Sequence, residues 1–182
     1  MFSGLSRTRH VSCTTGHRPR LREQTPVSTC TRGVLGELIE ADNGNGRLVA
    51  CTLYARERTV HDPIYVHAKI AMVDDAWLTL GSANLNEHSL FNDTEMNIVT
   101  HDPATARDTR QRLWAEHLEL PLDELPADPI DAIDHYWKPI SGEQLERRHA
   151  GQPFTHRLVR LPNISRRSAR ILGPLNGLLV DG

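Results

Sequence analysis

Residues 62 to 84 read DPIYVHAKIAMVDDAWLTLGSAN, and this pattern predicts two neighbouring β-strands. From residue 64 to residue 72 every even position is apolar, so one face of the first strand can pack while the other carries His67 and Lys69. A pair of aspartates then supplies turn residues, and the second strand runs into Gly81. We expect a hairpin whose polar face presents a histidine and a lysine two residues apart.

The segments on either side of this hairpin are also expected to be ordered. Apolar residues recur at helical spacing from Gly33, a turn of alternating Asn and Gly follows at 43–46, and a strand is expected over 47–54. After the hairpin we predict a strand over 95–100 and a helix over 103–118, which starts with a proline after an aspartate cap. These elements predict an α/β fold.

On the helix over 103–118, the apolar spacing predicts one packed side, with the arginines elsewhere. The packed side is expected to carry Ala106, Leu113, Trp114 and His117.

Composition divides the chain into three parts. Residues 1–32 mix Ser, Thr, Arg and Pro with almost no apolar residues, so we expect them to be disordered. Residues 33–125 should form the domain, with its motif at 62–89. Residues 126–182 are expected to be a basic C-terminal appendage of short elements, because prolines recur often enough to break any long one.

The bulk properties of the 182 residues exclude several classes of protein. A formal net charge of -2 gives no general case for nucleic-acid binding. Three cysteines without close spacing fit neither a disulfide framework nor a zinc site. Because neither a signal peptide nor a transmembrane segment is apparent, we expect a cytoplasmic or membrane-peripheral protein.

The polar residues of the hairpin suit attack on a phosphodiester, an anion that repels anionic nucleophiles. His67 can attack phosphorus when neutral or protonate the leaving oxygen when charged. Lys69 is placed to bind phosphate from the same face. Ser82 and Asn84 can donate hydrogen bonds to phosphate from the end of the next strand, where Gly81 lets the backbone approach closely.

Read together, these residues form a spaced motif. It consists of His67, Lys69, Asp74, Gly81, Ser82 and Asn84. The motif resembles the HKD motif of the phospholipase D superfamily, and GSANLNEHSL at 81–90 resembles its bacterial phospholipase and cardiolipin synthase branch. The resemblance extends over about 33–120 and includes NDTEMN at 92–97.

The resemblance implies a phospholipase D-like half-domain, a mixed β-sheet flanked by helices. It further implies that Asp74 is a largely structural member of the catalytic motif and that Glu95 is the acid that orients the ring of His67. Asn86, His88 and Ser89 are expected in a loop near the pocket. The mechanism that the resemblance implies needs no cofactor and no metal.

Members of this family build the site from two such motifs, whereas this sequence has a single His-x-Lys. The second half could come from a twin chain in a homodimer. Alternatively, the sequence is the C-terminal half of a two-motif protein, which we favour. By analogy with two-motif members, His67 would then be the general acid that protonates the leaving alcohol.

The resemblance implies hydrolysis of a glycerophospholipid to phosphatidic acid and a head-group alcohol through a phosphohistidine. A cardiolipin synthase-like phosphatidyltransferase, a single-motif dimeric nuclease and an inactive fragment are the alternatives. A run of arginines from Arg147 to Arg170 and an apolar end at 175–180 suggest peripheral contact with a membrane. Nucleic acid is not expected as a partner.

Overall fold

The computed structural model describes residues 11–12, 29–56, 62–64, 66–84, 89 and 91–161. Helices alternate with short strands along this part of the chain. The strands are β1 (Val11–Ser12), β2 (Val49–Leu53), β3 (Lys69–Val73), β4 (Trp77–Gly81), β5 (Asn97–Thr100) and β6 (Leu158–Arg160). The helices are α1 (Thr29–Asp42), α2 (Pro103–Leu118), α3 (Pro129–Ala132) and α4 (Lys138–His149), with a 3-10 turn at Leu122–Glu124 and a π-helical turn at Ile133–Trp137.

The strands form two three-stranded sheets, and the α/β fold class predicted from the sequence is confirmed. In the first sheet β2 pairs with β1 in parallel and with β6 antiparallel. In the second sheet β3, β4 and β5 form an antiparallel meander. The expectation of one mixed sheet therefore needs correction, because the sheet that carries Lys69 is antiparallel throughout its described strands.

The main hydrophobic core lies between the first sheet and the helices. The rings of Trp114 and Trp137 meet edge to face at 5.4 Å, and both side chains are buried. Residues before and after position 125 share this core, so packing shows no break at the expected domain boundary. Its buried members include Val49, Cys51, Leu53, Trp114, Leu118, Leu125, Ile133, Trp137 and Leu158.

Helix α2 has the predicted bounds, and Asp102 caps it. The Asp102 carboxylate accepts the backbone N–H groups of Ala104 at 3.3 Å and Thr105 at 3.1 Å. Ala106, Trp114 and His117 are buried as expected. The expectation that the arginines lie elsewhere is wrong for Arg110, which is 3% exposed because it pairs with an aspartate of the β3–β4 turn.

The prolines do not break the C-terminal region into short pieces, and that expectation is also corrected. An almost continuous helical stretch runs from Pro129 to His149. Pro129 occupies its first turn after the cap residue Asp128, where a missing N–H costs nothing. Pro139 follows the π-helical turn at Ile133–Trp137, and this wider turn accommodates a residue that cannot complete the α-helical hydrogen bond.

Two strands are shorter than the sequence predicted. The strand expected over 64–73 is regular only from Lys69, because its partner β4 ends at Gly81, which pairs with Lys69. Before that point, Pro63 forms only an isolated bridge with Tyr54. The strand expected over 95–100 likewise begins at Asn97.

The N-terminal expectations fall partly outside the described residues. Helix α1 begins at Thr29, four residues before the expected start, and β1 lies inside the segment expected to be disordered. Residues 1–10, 13–28 and 162–182 lie outside the described part. Among the residues that the structure describes, no helix is both long enough and apolar enough to cross a membrane.

Candidate active site

His67 and Lys69 lie at the open end of the β3–β4 hairpin, away from its turn. The side chain of His67 is exposed and that of Lys69 is half-buried. The Lys69 ammonium group donates a hydrogen bond to the backbone carbonyl of His67 at 3.0 Å. Because Lys69 pairs with Gly81, the two motif residues stand beside the end of β4.

Gly81 is the point at which β4 and β5 approach too closely for a side chain. A Cβ atom at this position would overlap the side-chain oxygen of Asn97 and the backbone carbonyl of Met96. The same Asn97 oxygen accepts the backbone N–H of Ala83 at 3.1 Å. Asn97 therefore fixes the chain just after Gly81, and sequence reasoning missed this role because its contacts to Ala83 and Thr79 link segments 14 and 18 residues away.

The side chain of Ser82 binds the residues that directly precede β5. Its hydroxyl oxygen accepts the backbone N–H of Met96 at 3.1 Å. It also hydrogen-bonds the carboxylate of Glu95, and so does Ser89, which is buried. A phosphate at Ser82 would have to share the hydroxyl with these partners.

Glu95 lies within electrostatic range of Lys69 at the start of β3 and of His67 two residues before it. Hydrogen bonds from Ser82 and then Ser89 hold the pKa of Glu95 below its usual value, and the nearby charges of Lys69 and His67 act in the same direction. Among the residues predicted for the site, the structure therefore brings His67, Lys69, Ser82 and Glu95 together.

Asn84 lies next to this group and is half-buried. Its amide nitrogen donates to the Ser89 hydroxyl at 3.4 Å, which makes Ser89 a link between Asn84 and Glu95. Ser89 thus lies near the pocket, as expected. The positions expected for Asn86 and His88 lie outside the described residues.

Asp74 is separated from the rest of the motif. It lies in the turn at the other end of β3, five residues and about 17 Å from Lys69 at the rise of an extended strand. Its φ of 52° and the 53° of Asp75 place both aspartates in the left-handed region, as in a type I′ hairpin turn. In this structure Asp74 has no direct part in the chemistry of the open end.

Asp75, which sequence reasoning did not single out, anchors this turn to helix α2. Its carboxylate accepts from Arg110 at 2.6 and 2.9 Å and lies 3.5 Å from Arg107. Arg110 also donates to the carbonyl of Ala127 at 2.8 Å. The signal that could have found this pair is the spacing of two arginines one helical turn apart on α2.

The open end of the hairpin thus offers a histidine, an ammonium group, a hydroxyl and a carboxylate within one polar patch. Such a set can bind a phosphate anion and transfer a proton. Within the described residues, no group of three His, Cys, Asp or Glu side chains is arranged to hold a metal ion. The independence from metals and cofactors stays a prediction.

Comparison with known proteins shows which family the region around this patch resembles. Residues 40–116 match the family model described as "Cardiolipin synthase, PLD-like domain". This part of the chain is therefore similar to the phospholipase D superfamily. The matched region of this phospholipase D-like domain contains every residue predicted for the site.

Similar proteins of known name are phospholipases D. The chain is 36% identical over 104 residues to phospholipase D alpha 1 of Spuriopimpinella brachycarpa. The match covers 46% of this chain and 13% of that relative. It is 35% identical over 105 residues to phospholipase D alpha 1 of Nicotiana tabacum, with the same coverage of 46% and 13%. Phospholipase D A of Dictyostelium discoideum is 34% identical over 94 residues, which are 42% of this chain and 7% of that relative.

The chain therefore matches about an eighth of the length of these plant relatives. The resemblance to a bacterial branch in particular stays a prediction, because the relatives compared come from plants and Dictyostelium.

Proposed function

We propose that this domain is one half of a phospholipase D-type phosphodiesterase that hydrolyses glycerophospholipids to phosphatidic acid and a head-group alcohol. The observation that carries the proposal is the convergence at the open end of the hairpin. Glu95 interacts electrostatically with both His67 and Lys69 and is held by Ser82. Three separate strand ends thus contribute to one polar patch.

In this proposal His67 acts mainly as the proton donor. A histidine of a second half attacks phosphorus, and a bond from nitrogen to phosphorus forms as the bond to the head-group oxygen breaks. The imidazolium of His67 gives its proton to that oxygen, so a neutral alcohol leaves. Neutral His67 then takes a proton from water as the water oxygen displaces the phosphohistidine nitrogen and releases phosphatidic acid.

The neighbours of His67 suit this role. The carboxylate of Glu95 lies within electrostatic range of His67 and can orient its ring. The ammonium group of Lys69 binds a backbone carbonyl, which is a weaker partner than an anion. An arriving phosphate can therefore displace this carbonyl from the ammonium group. Asn84 can add a hydrogen bond to the nonbridging oxygens after releasing Ser89.

A second half of the site is part of the proposal. His67 is exposed, and the sequence holds a single His-x-Lys, so a second nucleophile must come from another segment or another copy. The match to about an eighth of the length of the plant relatives supports the first source. A homodimer is the other source.

A phosphatidyltransferase is a second candidate, because the matching family model is described as a cardiolipin synthase domain. The two reactions share every step up to the phosphohistidine. They differ in whether water or a lipid hydroxyl accepts the phosphatidyl group. Addition of phosphatidylglycerol to the assay and separation of the lipid products would distinguish them.

Choline release from phosphatidylcholine tests the activity. If the chain dimerises, it should release choline without an added partner. His67→Ala should abolish this release, whereas His135→Ala, at an exposed histidine, should not. Equal release by the chain and its His67→Ala variant would contradict the proposal.

Binding of a phosphate-like oxyanion tests the site without turnover. Titration calorimetry with tungstate should show saturable binding that Lys69→Ala weakens at least about tenfold, since it removes a charge-assisted hydrogen bond. Lys138, the other lysine of the sequence, pairs with Asp134 at 2.8 Å and provides the matched Lys138→Ala control. Equal affinity of the two variants for tungstate would contradict the proposal that Lys69 binds phosphate.

Peripheral membrane contact is the weakest part of the proposal. Among the described arginines of the basic run, Arg147 pairs with Glu143 at 2.8 Å, Arg148 stacks on Tyr54 at 5.6 Å, and Arg157 lies 3.6 Å from Glu119. These three arginines already have partners within the protein, so they are less available to bind lipid head groups. Flotation with anionic vesicles tests the contact, and absence of the chain from the vesicle fraction would remove it.

A further inference from the structure

Ser89 is a buried residue that lies between two members of the candidate active site. It is 6% exposed. Its hydroxyl bonds the amide nitrogen of Asn84 at 3.4 Å and also bonds the carboxylate of Glu95. Ser82, which bonds the same carboxylate, is exposed. A solute can therefore reach Ser82, whereas Ser89 can act only through its neighbours.

The chemistry of the three groups fixes the direction of the two hydrogen bonds of Ser89. Glu95 is ionised at neutral pH, because hydrogen bonds from Ser82 and then Ser89 lower its pKa. An ionised carboxylate can only accept, so the Ser89 hydroxyl donates its single hydrogen to Glu95. The amide nitrogen of Asn84 can only donate, so it bonds the oxygen of the same hydroxyl. The hydrogen bonds therefore run from Asn84 through Ser89 to Glu95.

These two hydrogen bonds differ in strength. The bond from Ser89 to Glu95 has a charged acceptor, and such bonds are about twice as strong as bonds between neutral groups. The bond from Asn84 to Ser89 joins two neutral groups and is long at 3.4 Å. An anion that arrives at Asn84 would therefore break the weaker bond and leave the stronger one in place.

The stronger bond holds the acid that lies within electrostatic range of His67. The residue after this acid is fixed as well, because the backbone N–H of Met96 donates to the hydroxyl of Ser82 at 3.1 Å. Glu95 is thus held by one exposed serine and by one buried serine. The buried serine has no need to exchange its bond to Glu95 when a solute enters the site.

We propose that Ser89 is a positioning residue of this site, which keeps Glu95 beside His67 during the reaction. Asn84 meanwhile exchanges its bond to Ser89 for a bond to phosphate. This inference rests on the proposed function, in which Asn84 binds the nonbridging oxygens and Glu95 orients the ring of His67. Loss of the Ser89 hydroxyl should therefore impair catalysis without impairing anion binding.

Anion binding tests the exchange without turnover. In titration calorimetry of the whole chain, Ser89→Ala should bind tungstate at least as tightly as the parent chain, because Asn84 then has no bond to Ser89 to give up. Asn84→Ala should bind tungstate about five- to tenfold more weakly, since it lacks the donor itself. Weaker binding of tungstate by Ser89→Ala than by the parent chain would overturn the exchange.

The carboxylate of Glu95 tests the other part of the proposal. Ser89→Ala should raise the pKa of Glu95 towards its usual value, because it removes one of the two serine hydrogen bonds that lower this pKa. NMR titration of the glutamate side-chain carboxyl groups in the whole chain measures the change. An unchanged pKa of Glu95 would overturn the proposal that Ser89 holds this residue.

The choline-release assay tests the link to catalysis. Ser89→Ala and the similarly sized Ser89→Cys, whose thiol is a weak donor, should lower kcat about tenfold or more without raising KM. Ser89→Thr, which restores a hydroxyl, should recover most of the activity. Ser141→Ala is the control, because it removes another buried hydroxyl, which bonds the carbonyl of Trp137.

Ser141→Ala should leave kcat unchanged. Equal losses in Ser89→Ala and Ser141→Ala would overturn the positioning role. No choline release by the parent chain would instead contradict the proposed phosphodiesterase activity, and the tungstate and NMR results would then decide the role of Ser89.

Discussion

The two ends of the β3–β4 hairpin are built in different ways. At the turn end, Asp75 and Arg110 form a two-contact ion pair with side chains 10% and 4% exposed. At the open end, Lys69 bonds a single backbone carbonyl and His67 is exposed. One strand therefore joins an end fixed by buried charge to an end whose charges remain accessible.

Along the nine residues from His67 to Asp75, this difference separates the groups that stabilise the fold from the groups proposed for the chemistry. A buried ion pair holds only one arrangement, since breaking it leaves a charge without water or partner. The half-buried ammonium group of Lys69 bonds only one backbone carbonyl, so it loses less when it changes partners. The turn end can thus hold the strand in place while the side chains at the open end move to meet an anion.

The largest expected effect comes from removing the charge of Asp75. Asp75→Asn should lower the free energy of unfolding by about 3–5 kcal/mol, because Arg110 is left buried without its counter-ion. Asp74→Asn is the control, since asparagine tolerates the positive φ of both positions and Asp74 is exposed. Urea denaturation measures both, and similar losses would show that the turn end is not fixed by the buried pair.

Gly81 tests whether the open end also has a rigid element. Gly81→Ala should cost about 1–3 kcal/mol, because a Cβ atom overlaps Asn97 and the backbone of Met96 and forces β4 and β5 apart. Gly142 in α4 has nothing within 4 Å, so Gly142→Ala should instead stabilise by about 1 kcal/mol. If Gly81→Ala left the free energy of unfolding unchanged, β5 would not be held closely against β4.

His117 provides a pH test of the wall behind β3. Burial lowers its folded-state pKa below the ordinary 6.5, so the unfolded chain binds the proton more tightly. Stability should therefore fall as the pH drops through about 6.5, and His117→Gln should reduce this slope. Thermal unfolding between pH 7.5 and 5.5 measures it, with His135→Gln on the surface as the control.

The smallest expected effect is at Glu95. Its folded-state pKa is lowered, so its contribution to stability is complete above the ordinary value of 4.5 and is lost as the pH falls through the folded value. Glu95→Gln should therefore be less stable than the parent chain above pH 4.5, and this difference should disappear at a pH below the folded-state pKa of Glu95. Urea denaturation at several pH values measures this, and an equal stability difference at every pH would show that Glu95 gains nothing from its hydrogen bonds to Ser82 and Ser89.

The sequence predicted those features that depend on local patterns. The alternation over β3, the turn residues, the cap at Asp102 and the length of α2 all follow from short-range rules. Trp114 lies in the core as expected, whereas the apolar face of β3, which was expected to pack, is only half-buried and lines a cavity.

The features that sequence reasoning missed depend on contacts between distant segments. Arg110 is buried because Asp75, 35 residues away, meets it across the fold. The region after residue 125 joins the main core because its apolar residues face α2 and β2, which no local pattern reveals. At the site, the grouping of Glu95 with His67 was implied by family resemblance, but its hydrogen bonds to Ser82 and Ser89 were not expected.

The two sheets also differ in how far apart their partners lie in the chain, and this bears on the order of folding. Each strand of the β3–β4–β5 meander pairs with the next one along the chain, whereas Cys51 in β2 pairs with Arg160 in β6. Closing the larger loop costs more chain entropy and slows folding. The meander that carries the candidate active site should therefore form first, and the sheet beneath the main core should close only after residue 160 has been synthesised.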